Sequence, residues 1–395
     1  MANPSNNTDT SVLPTASADG LPAAIMLAFL GTAGIFYVNI LAALVSGLVD
    51  GLNYSSALAG YVASANVYGA AFGAFLAVFA VGRIRWRKAA LFALISLMVI
   101  DAASTQISSS NILIPTRFIH GIVGGFLVGI VLSVIARTEN PSRTFGMLLV
   151  IQAGIGGLGL MLLPGMVPTH GTPILFWALF AFTSAAALML PFIPVYPPKD
   201  KTRQDTSKQS AVNLKPLVLA LIGIFLYQAS NMGLAAYMIE LGRSYSLQTA
   251  QISAHIGIAH WVAVLGALLV YILATKFGRL IPMVSGFILT IAGMSVLHFS
   301  ETPVWFLIGN IIVSTTWAFL LPYILGICAE FDANGRMATL SGFCSKMGLA
   351  SGPLTAAFIL EDQGYDLILN LTITGIAISA AILLLPAQQL DQART

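Results

Sequence analysis

Twelve long apolar stretches follow one another along the chain, and most of the polar connections between them are short. A helix needs about 20 mainly apolar residues to cross the hydrocarbon core of a bilayer. A transmembrane β-barrel would instead show segments of about ten residues with alternating polarity, and the sequence has none. The pattern predicts an all-α membrane protein with twelve transmembrane helices. These predicted spans are 22–47, 56–81, 88–107, 112–136, 144–167, 172–195, 215–239, 248–275, 280–299, 303–328, 337–360 and 366–387.

The shortage of charge excludes an ordinary soluble enzyme. Charged residues make up 8% of the 395 residues and hydrophobic residues 57%, and the mean hydropathy is +0.88. Soluble domains carry about 25% charged residues, so a soluble protein of this composition could not cover its surface. The two cysteines, Cys328 and Cys344, form neither a disulfide framework nor a metal-binding spacing. No cofactor or metal is predicted.

The distribution of lysine and arginine favours one orientation. With the N-terminus in the cytoplasm, fifteen of the eighteen basic residues lie in inner connections, and Arg243 alone lies outside. Cytoplasmic loops of membrane proteins carry such an excess. We therefore expect a multi-pass protein of the cell inner membrane with both termini in the cytoplasm. The net charge of +3 mainly reflects this topology, and no nucleic-acid partner is predicted.

Composition also divides the chain. Residues 1–20 are polar, lack the features of a signal peptide and read as a disordered cytoplasmic tail. The stretch 197–214 is the longest inner connection and reads as a solvated linker. It separates a six-helix half at 21–196 from a second at 215–388, and residues 389–395 form a second cytoplasmic tail.

The two halves show weak internal repetition. When the second half is shifted by 193 residues, the segment GAFL at 73–76 falls on GALL at 266–269. Under the same shift, 137–143 and 330–336 keep an acid at the third position and an arginine at the seventh. Together with the equal number of spans, these matches predict two parallel, pseudo-symmetric repeats.

Span four contains the most specific pattern, Arg117 followed by His120 and Gly121. This pattern is similar to the fourth-helix motif of the major facilitator superfamily, which has an arginine, a polar residue three positions later and then a glycine. The basic connection at 82–88 resembles a degraded form of the family's loop motif. Over nearly its whole length, the chain thus resembles a bacterial twelve-helix secondary transporter. The resemblance implies two halves that rock about a central site, as in alternating access.

Ionisable groups within the spans are candidate coupling residues, because each costs at least about 2.5 kcal/mol in hydrocarbon. Arg117 could support substrate or proton coupling, or it could clamp backbone carbonyls. Lys346 lies near the middle of span eleven, where it could bind an anion or form an internal salt bridge with Asp101. Histidine titrates near neutral pH, which makes His120 and His260 further candidates. The predicted proton-coupling residues are Arg117, His120, His260 and Lys346.

A layer of polar and aromatic residues accompanies these groups in spans that line the central cavity of the resembled family. Amides and phenols could orient a solute while aromatic faces exclude water. Hydrogen bonds between helices would explain the same residues without a ligand. The predicted substrate-binding residues are Tyr37, Asn39, Asn66, Tyr68, Arg117, Gln152, Tyr227, Gln228, Asn231, Trp261, Trp317 and Lys346.

These observations predict a secondary active transporter for a small organic solute, coupled to protons and functional as a monomer in the lipid bilayer. The deep ionisable residues are mostly cationic, which favours an anionic or polar solute. One alternative is a drug or metabolite exporter working as a proton antiporter, because span five is rich in glycine at 154–159. Another is an intramembrane enzyme or a non-transporting receptor. Enzymatic activity is not expected, since no Walker, GxSxG or HExxH motif occurs.

The predicted topology can be tested by labelling introduced cysteines. We expect single cysteines placed within 83–88 or 197–214 to resist an impermeant thiol reagent on intact cells and to react after permeabilisation, because both segments are predicted to be cytoplasmic. A cysteine near Glu301, in a predicted outer connection, is the positive control. Labelling of either inner segment on intact cells would reverse the orientation.

Overall fold

The computed structural model describes residues 15–18, 20–196, 214–273, 276–330, 336–361 and 364–392. In these ranges the regular secondary structure is helical and no β-strand occurs. Most of the predicted tail at 1–20 and nearly all of the predicted linker at 197–214 lie outside the described residues.

The first half contains spans one to six. Span one comprises three short helices and span six ends in a 3₁₀ turn. The helices are α1 (Leu21–Ala33), α2 (Phe36–Asn39) and α3 (Leu41–Leu52) in span one, α4 (Ser56–Ala80) in span two, α5 (Trp86–Ser104) in span three, α6 (Ser110–Ile135) in span four, α7 (Pro141–His170) in span five and α8 (Pro173–Met189) in span six.

The second half contains spans seven to twelve. Spans seven and eight are each built from two helices, and span nine ends in a 3₁₀ turn. The helices are α9 (Leu214–Ala235) and α10 (Met238–Ser244) in span seven, α11 (Thr249–Val262) and α12 (Val264–Leu273) in span eight, α13 (Leu280–Val296) in span nine, α14 (Pro303–Glu330) in span ten, α15 (Arg336–Leu360) in span eleven and α16 (Tyr365–Gln392) in span twelve.

The structure confirms an all-α membrane protein with twelve spans in two six-helix halves. Among the described residues, ten helical stretches are long and apolar enough to cross a membrane. Span one differs because it is divided into shorter apolar helices. Span three differs because its 19 residues include Arg87, Lys88 and Asp101. Span twelve extends to Gln392, five residues beyond the predicted end at 387.

Two breaks in span one delimit a short helix that carries two polar side chains of the candidate site. The helix is interrupted around Gly34 and again at Ile40, whose backbone leaves the helical region. A close approach to span four explains the glycine at the first interruption, because a Cβ atom at Gly34 would lie 2.5 Å from the carbonyl oxygen of Gly124. Tyr37 and Asn39 lie on the short helix between the two interruptions.

Glycines bring spans two and four into backbone contact. A Cβ atom at Gly121 would overlap the carbonyl oxygen of Asn66, and one at Gly125 would overlap that of Ala70. Small residues allow such close approach in membranes, where packing rather than water exclusion holds helices together. The contact places the Asn66 side chain directly against span four.

The same arrangement joins spans seven and eleven in the second half. Cβ atoms at Gly348 and Gly352 would overlap the carbonyl oxygens of Phe225 and Ala229. Gln228 is thereby held against span eleven. Between the halves, span two packs on span eleven and span five packs on span eight.

Candidate transport site

A buried ion pair joins spans three and four within the first half. Nη1 of Arg117 donates to Oδ1 of Asp101 at 2.8 Å, and both side chains are 0% exposed. Nη2 of Arg117 donates to the carbonyl oxygen of Ile100 at 3.2 Å and also to the hydroxyl of Ser104. The planar guanidinium therefore reaches three acceptors on span three, which a lysine ammonium could not match in this geometry.

His120 extends this ion pair towards span two. Its Nε2 lies 3.2 Å from Oδ1 of Asp101, and its Nδ1 lies 2.8 Å from Nδ2 of Asn66. Nδ2 of Asn66 also donates to the carbonyl oxygen of Arg117 at 3.0 Å. Three predicted site residues, Asn66, Arg117 and His120, therefore belong to one network with Asp101.

Aromatic rings cover the guanidinium. The Arg117 Cζ lies 4.7 Å from the ring centre of Phe176 and 6.0 Å from that of Tyr37. Three buried polar atoms here have no hydrogen-bond partner among the described residues, namely Oδ2 of Asp101, Nε of Arg117 and the hydroxyl of Tyr37. Buried polar groups are normally paired, so these three atoms are the part of the network that the described side chains leave unsatisfied.

The second half contains a chain of neutral hydrogen bonds. The indole Nε1 of Trp317 donates to Oε1 of Gln228 at 2.9 Å, and Nε2 of Gln228 donates to the hydroxyl of Ser345 at 2.8 Å. Both ends of the amide are thus engaged, which fixes its orientation. Of these three residues, Gln228 and Trp317 were predicted for the site, and Ser345 was not.

Lys346 follows Ser345 on span eleven and is half-buried. The described residues give its ammonium neither a hydrogen bond nor an ion pair. Asp101, the acid considered as its partner, is engaged with Arg117 and His120 instead. Lys346 is therefore a membrane-depth cation without a protein counter-ion in the described part of the chain.

Asn39 and His260 approach each other from opposite halves across span five. A Cβ atom at Gly156 would lie 3.1 Å from Cβ of Asn39 and 3.7 Å from Cδ2 of His260. The second histidine of span eight, His255, packs instead on Phe306, with ring centres 6.2 Å apart. His260 is thus the histidine of span eight that faces the first half.

Two more predicted residues lie between the halves. The hydroxyl of Tyr68 is 2.8 Å from that of Ser351, which joins spans two and eleven. Nε1 of Trp261 donates to the carbonyl oxygen of Gly154 at 3.1 Å, and the Trp261 side chain is 43% exposed. Trp261 therefore forms part of the contact between spans five and eight.

The remaining predicted residues are not brought into these groups. Tyr227 is fully buried and packs edge-on against Phe287 of span nine, with ring centres 5.8 Å apart. The amide Nδ2 of Asn231 donates to the carbonyl oxygen of Tyr227 at 2.9 Å. Gln152 is half-buried on span five. Tyr227 and Asn231 thus contribute mainly to packing within the second half in this conformation.

Ionic contacts join the halves at one end of the bundle, which we call the outer face after the predicted topology. Arg243 at the end of span seven forms a two-fold contact with Asp50 at the end of span one, with distances of 2.8 and 2.7 Å. It also donates to Glu240 at 3.1 Å.

Tyrosines complete the closure of the outer face. The hydroxyl of Tyr61 donates to Oε1 of Glu361 at 2.6 Å, and that of Tyr365 lies 2.8 Å from the hydroxyl of Ser56. Both contacts connect span two with the second half. They border a cavity of about 320 Å³ that includes Ser55 and Leu360 in its lining. In this structure the outer face is closed.

Sequence reasoning missed several of these contacts. From the sequence, Asp101 was named only as a partner of Lys346. The missed signal was that the buried guanidinium of Arg117 needs an anion and that Asp101 is the one acid within span three. The outer contacts were also missed. Their signal was Arg243, the single basic residue in a predicted outer connection.

Two six-helix halves that meet at one face, with polar groups at membrane depth between them, are the architecture of a class of membrane transporters. The chain belongs to the Major Facilitator Superfamily, whose family model matches residues 23–357. A comparison with curated protein sequences finds no significant match.

Solved structures of the same fold belong to several transporters. A mutant of the nucleoside transporter NupG matches with a TM-score of 0.71 and 13% identity, covering 92% of this chain and 98% of that one. The human organic anion transporter MFSD10 (TETRAN) matches with a TM-score of 0.62 and 15% identity, covering 92% and 97%. A D-xylose-proton symporter matches with a TM-score of 0.68 and 14% identity, covering 93% and 96%. At these identities the likeness shows the fold.

The outer ion pair predicts a measurable change in accessibility. Replacing Arg243 by glutamine removes the cation and leaves Asp50 and Glu240 without their shared partner. A partly exposed pair stabilises closure by up to about 1 kcal/mol, so we expect an impermeant reagent to label a cysteine at position 68 up to about fivefold faster. The cysteine at position 68 is introduced into a protein from which the native Cys328 and Cys344 have been removed.

Arg83→Gln is the matched control, because it removes an exposed arginine outside the outer face. Its labelling rate should equal that of the parent. An unchanged rate in the Arg243→Gln variant would show that this ion pair does not hold the outer face closed.

Proposed function

We propose that this protein is a proton-coupled secondary active transporter that moves a small organic anion or polar solute by alternating access. It works as a monomer in the cell inner membrane with both termini in the cytoplasm. Membership of the superfamily and the two-half fold support the transporter class. The excess of basic residues in the inner connections supports the orientation.

The unpaired ammonium of Lys346 is the observation that carries the preference for an anion. An uncompensated charge at membrane depth is costly, and the described residues provide no acid for it. A bound anion would supply the missing counter-charge. At an effective dielectric of about 20, two unit charges about 4 Å apart attract by about 4 kcal/mol before desolvation is subtracted.

Neutral groups around the centre would orient the rest of the solute. The hydroxyl of Ser345 accepts from Gln228, so its own proton remains available to donate to a ligand. Asn39 and His260 approach from the other side of span five. The buried Nδ2 of Asn39 has no partner among the described residues and could donate to a solute oxygen.

Proton coupling is proposed for the buried networks that contain the deep ionisable groups Arg117, His120, His260 and Lys346. When a proton or an anion binds or leaves at these positions, the charge inside the bilayer changes. The two halves would then rearrange in response. The names of similar structures include an organic anion transporter and a proton symporter. The fold is therefore compatible with both parts of the proposal.

Flux into proteoliposomes tests the proposed activity. We would offer labelled organic anions and their neutral analogues, namely glucuronate with glucose and hippurate with hippuramide, and we would include uridine. We expect at least one anion to enter faster than into protein-free liposomes and an imposed pH gradient to drive it beyond equilibration. Transport that ignores the pH gradient would refute proton coupling. Preference for a neutral analogue would refute the anion assignment.

Lys346→Gln tests the proposed anion contact. Glutamine keeps comparable bulk and a donor but removes the charge. If even about 1.4 kcal/mol of the attraction survives desolvation, the Kd for the anion should rise about tenfold, while the Kd for its neutral analogue should change little. The measurement is the ratio of the two constants in wild type and variant. An unchanged ratio in a folded variant would remove Lys346 from the binding site.

A further inference from the structure

We infer that Asp101 is the proton-binding group of the first half and that the proton binds at its Oδ2 atom. The inference rests on the proposed proton coupling and assigns it to a residue outside the predicted set. It follows from the hydrogen-bond network around the carboxylate, from the burial of that network and from its position in the bundle.

Asn66 fixes the protonation of His120. Its side-chain amide faces two groups, the carbonyl oxygen of Arg117 at 3.0 Å and Nδ1 of His120 at 2.8 Å. A carbonyl oxygen only accepts, so the amide must present its NH₂ group to this side. Nδ1 of His120 must then be an acceptor without a proton. The reversed amide would set two carbonyl oxygens against each other.

The neutral His120 consequently carries its proton on Nε2. This atom lies 3.2 Å from Oδ1 of Asp101 and donates to it. A second proton on the imidazole would have to enter at Nδ1, where the Asn66 NH₂ group is already placed. It would also bring a positive charge close to Arg117. In this arrangement His120 positions the carboxylate and has no free site for a proton.

The two oxygens of Asp101 differ sharply. Oδ1 accepts from Arg117 at 2.8 Å and from His120. Oδ2 is buried and has no partner among the described residues. A carboxylate oxygen has two lone pairs that are costly to bury unpaired. Oδ2 is therefore the open basic atom of this network.

The groups around Asp101 come from four neighbouring elements. Span four contributes Arg117 and His120, span two contributes Asn66, and span one contributes Tyr37, whose buried hydroxyl is unpaired among the described residues. Span six contributes the non-titratable ring of Phe176. Arg117 holds a permanent charge, His120 is fixed as neutral, and tyrosine titrates near pH 10. Asp101 is left as the group of this network with an open position for a proton.

Protonation at Oδ2 would couple to the rest of the molecule through Arg117. A new O–H bond forms, the carboxyl group becomes neutral, and Arg117 loses its buried counter-ion. Removing one partner of a buried pair is strongly unfavourable, so the protonated state favours a rearrangement of spans three and four or the arrival of an anion. By linkage, an anion that favours the protonated state also raises proton affinity.

The position of Asp101 suits proton entry from the outer face. Asp101 lies three residues before the end of span three at Ser104, which corresponds to about 5 Å along the helix axis. A proton from the predicted outer side would therefore reach Oδ2 after crossing only the outer end of the bundle.

Infrared difference spectroscopy of the purified protein in liposomes tests this inference with protons as the only ligand. Acidification should produce the carbonyl band of a protonated carboxyl group, at the high-frequency end that is typical of a group shielded from water. The Asp101→Asn variant should lack this band. All variants are compared in a Glu240→Gln background, because that residue is a second buried carboxyl group. In this background His120→Asn should retain the band, and so should Asp366→Asn, the control for an exposed carboxylate.

Loss of Asp101 leaves Arg117 unpaired and could prevent folding, so a double variant Asp101→Asn/Arg117→Gln removes both charges together. The band should be absent from this variant as well. Its persistence in either folded variant, or its absence from wild type, would overturn the assignment. Failure of the proposed function would differ, because flux in wild type would then ignore the pH gradient whatever the spectra show.

Discussion

The first half of the molecule is organised around the ion pair between Arg117 and Asp101, which is fully buried at membrane depth. Neither charge could remain there alone, since breaking such a pair costs about 3–5 kcal/mol. The pair explains why a polar residue occurs in span three, why His120 lies beside it and why Phe176 and Tyr37 cover the guanidinium. Packing, charge compensation and the inferred proton site therefore depend on one contact.

Both halves use the same device to place a polar group on a neighbouring helix. Glycines bring two backbones together, and an amide on one helix then reaches acceptors on the other. The Asn66 amide of span two reaches span four, and the Gln228 amide of span seven reaches span eleven. The outcomes differ because span four offers charged groups and span eleven offers the hydroxyl of Ser345. Under the proposed mechanism, the first half binds a proton while the second presents donors to a solute. The two pseudo-symmetric halves therefore share the same helix packing, and they differ in the side chains at the contact.

The sequence was sufficient to predict the twelve spans, the two halves and the family. A helix that crosses hydrocarbon needs a long apolar stretch, and helices that pack closely in a membrane need small residues such as glycine. It also identified Arg117 and Lys346, since charges are rare at that depth. It could not assign partners: Asp101 is 16 residues from Arg117 in the chain, and only helix packing brings them together. The orientation of Tyr227 towards Phe287 and the choice between His255 and His260 likewise depend on helix rotation, which composition does not reveal.

The lone cation at Lys346 has a consequence for energetics across the membrane. In a carrier that binds an anion at Lys346 and a proton at Asp101 together, the two added charges cancel. The empty and the loaded carrier then both carry the one uncompensated positive charge, so a membrane potential acts on both reorientation steps. Its full effect is about 2.3 kcal/mol per elementary charge for each 100 mV. With the predicted orientation and a negative cytoplasm, the voltage would favour the empty carrier in its inward-facing state.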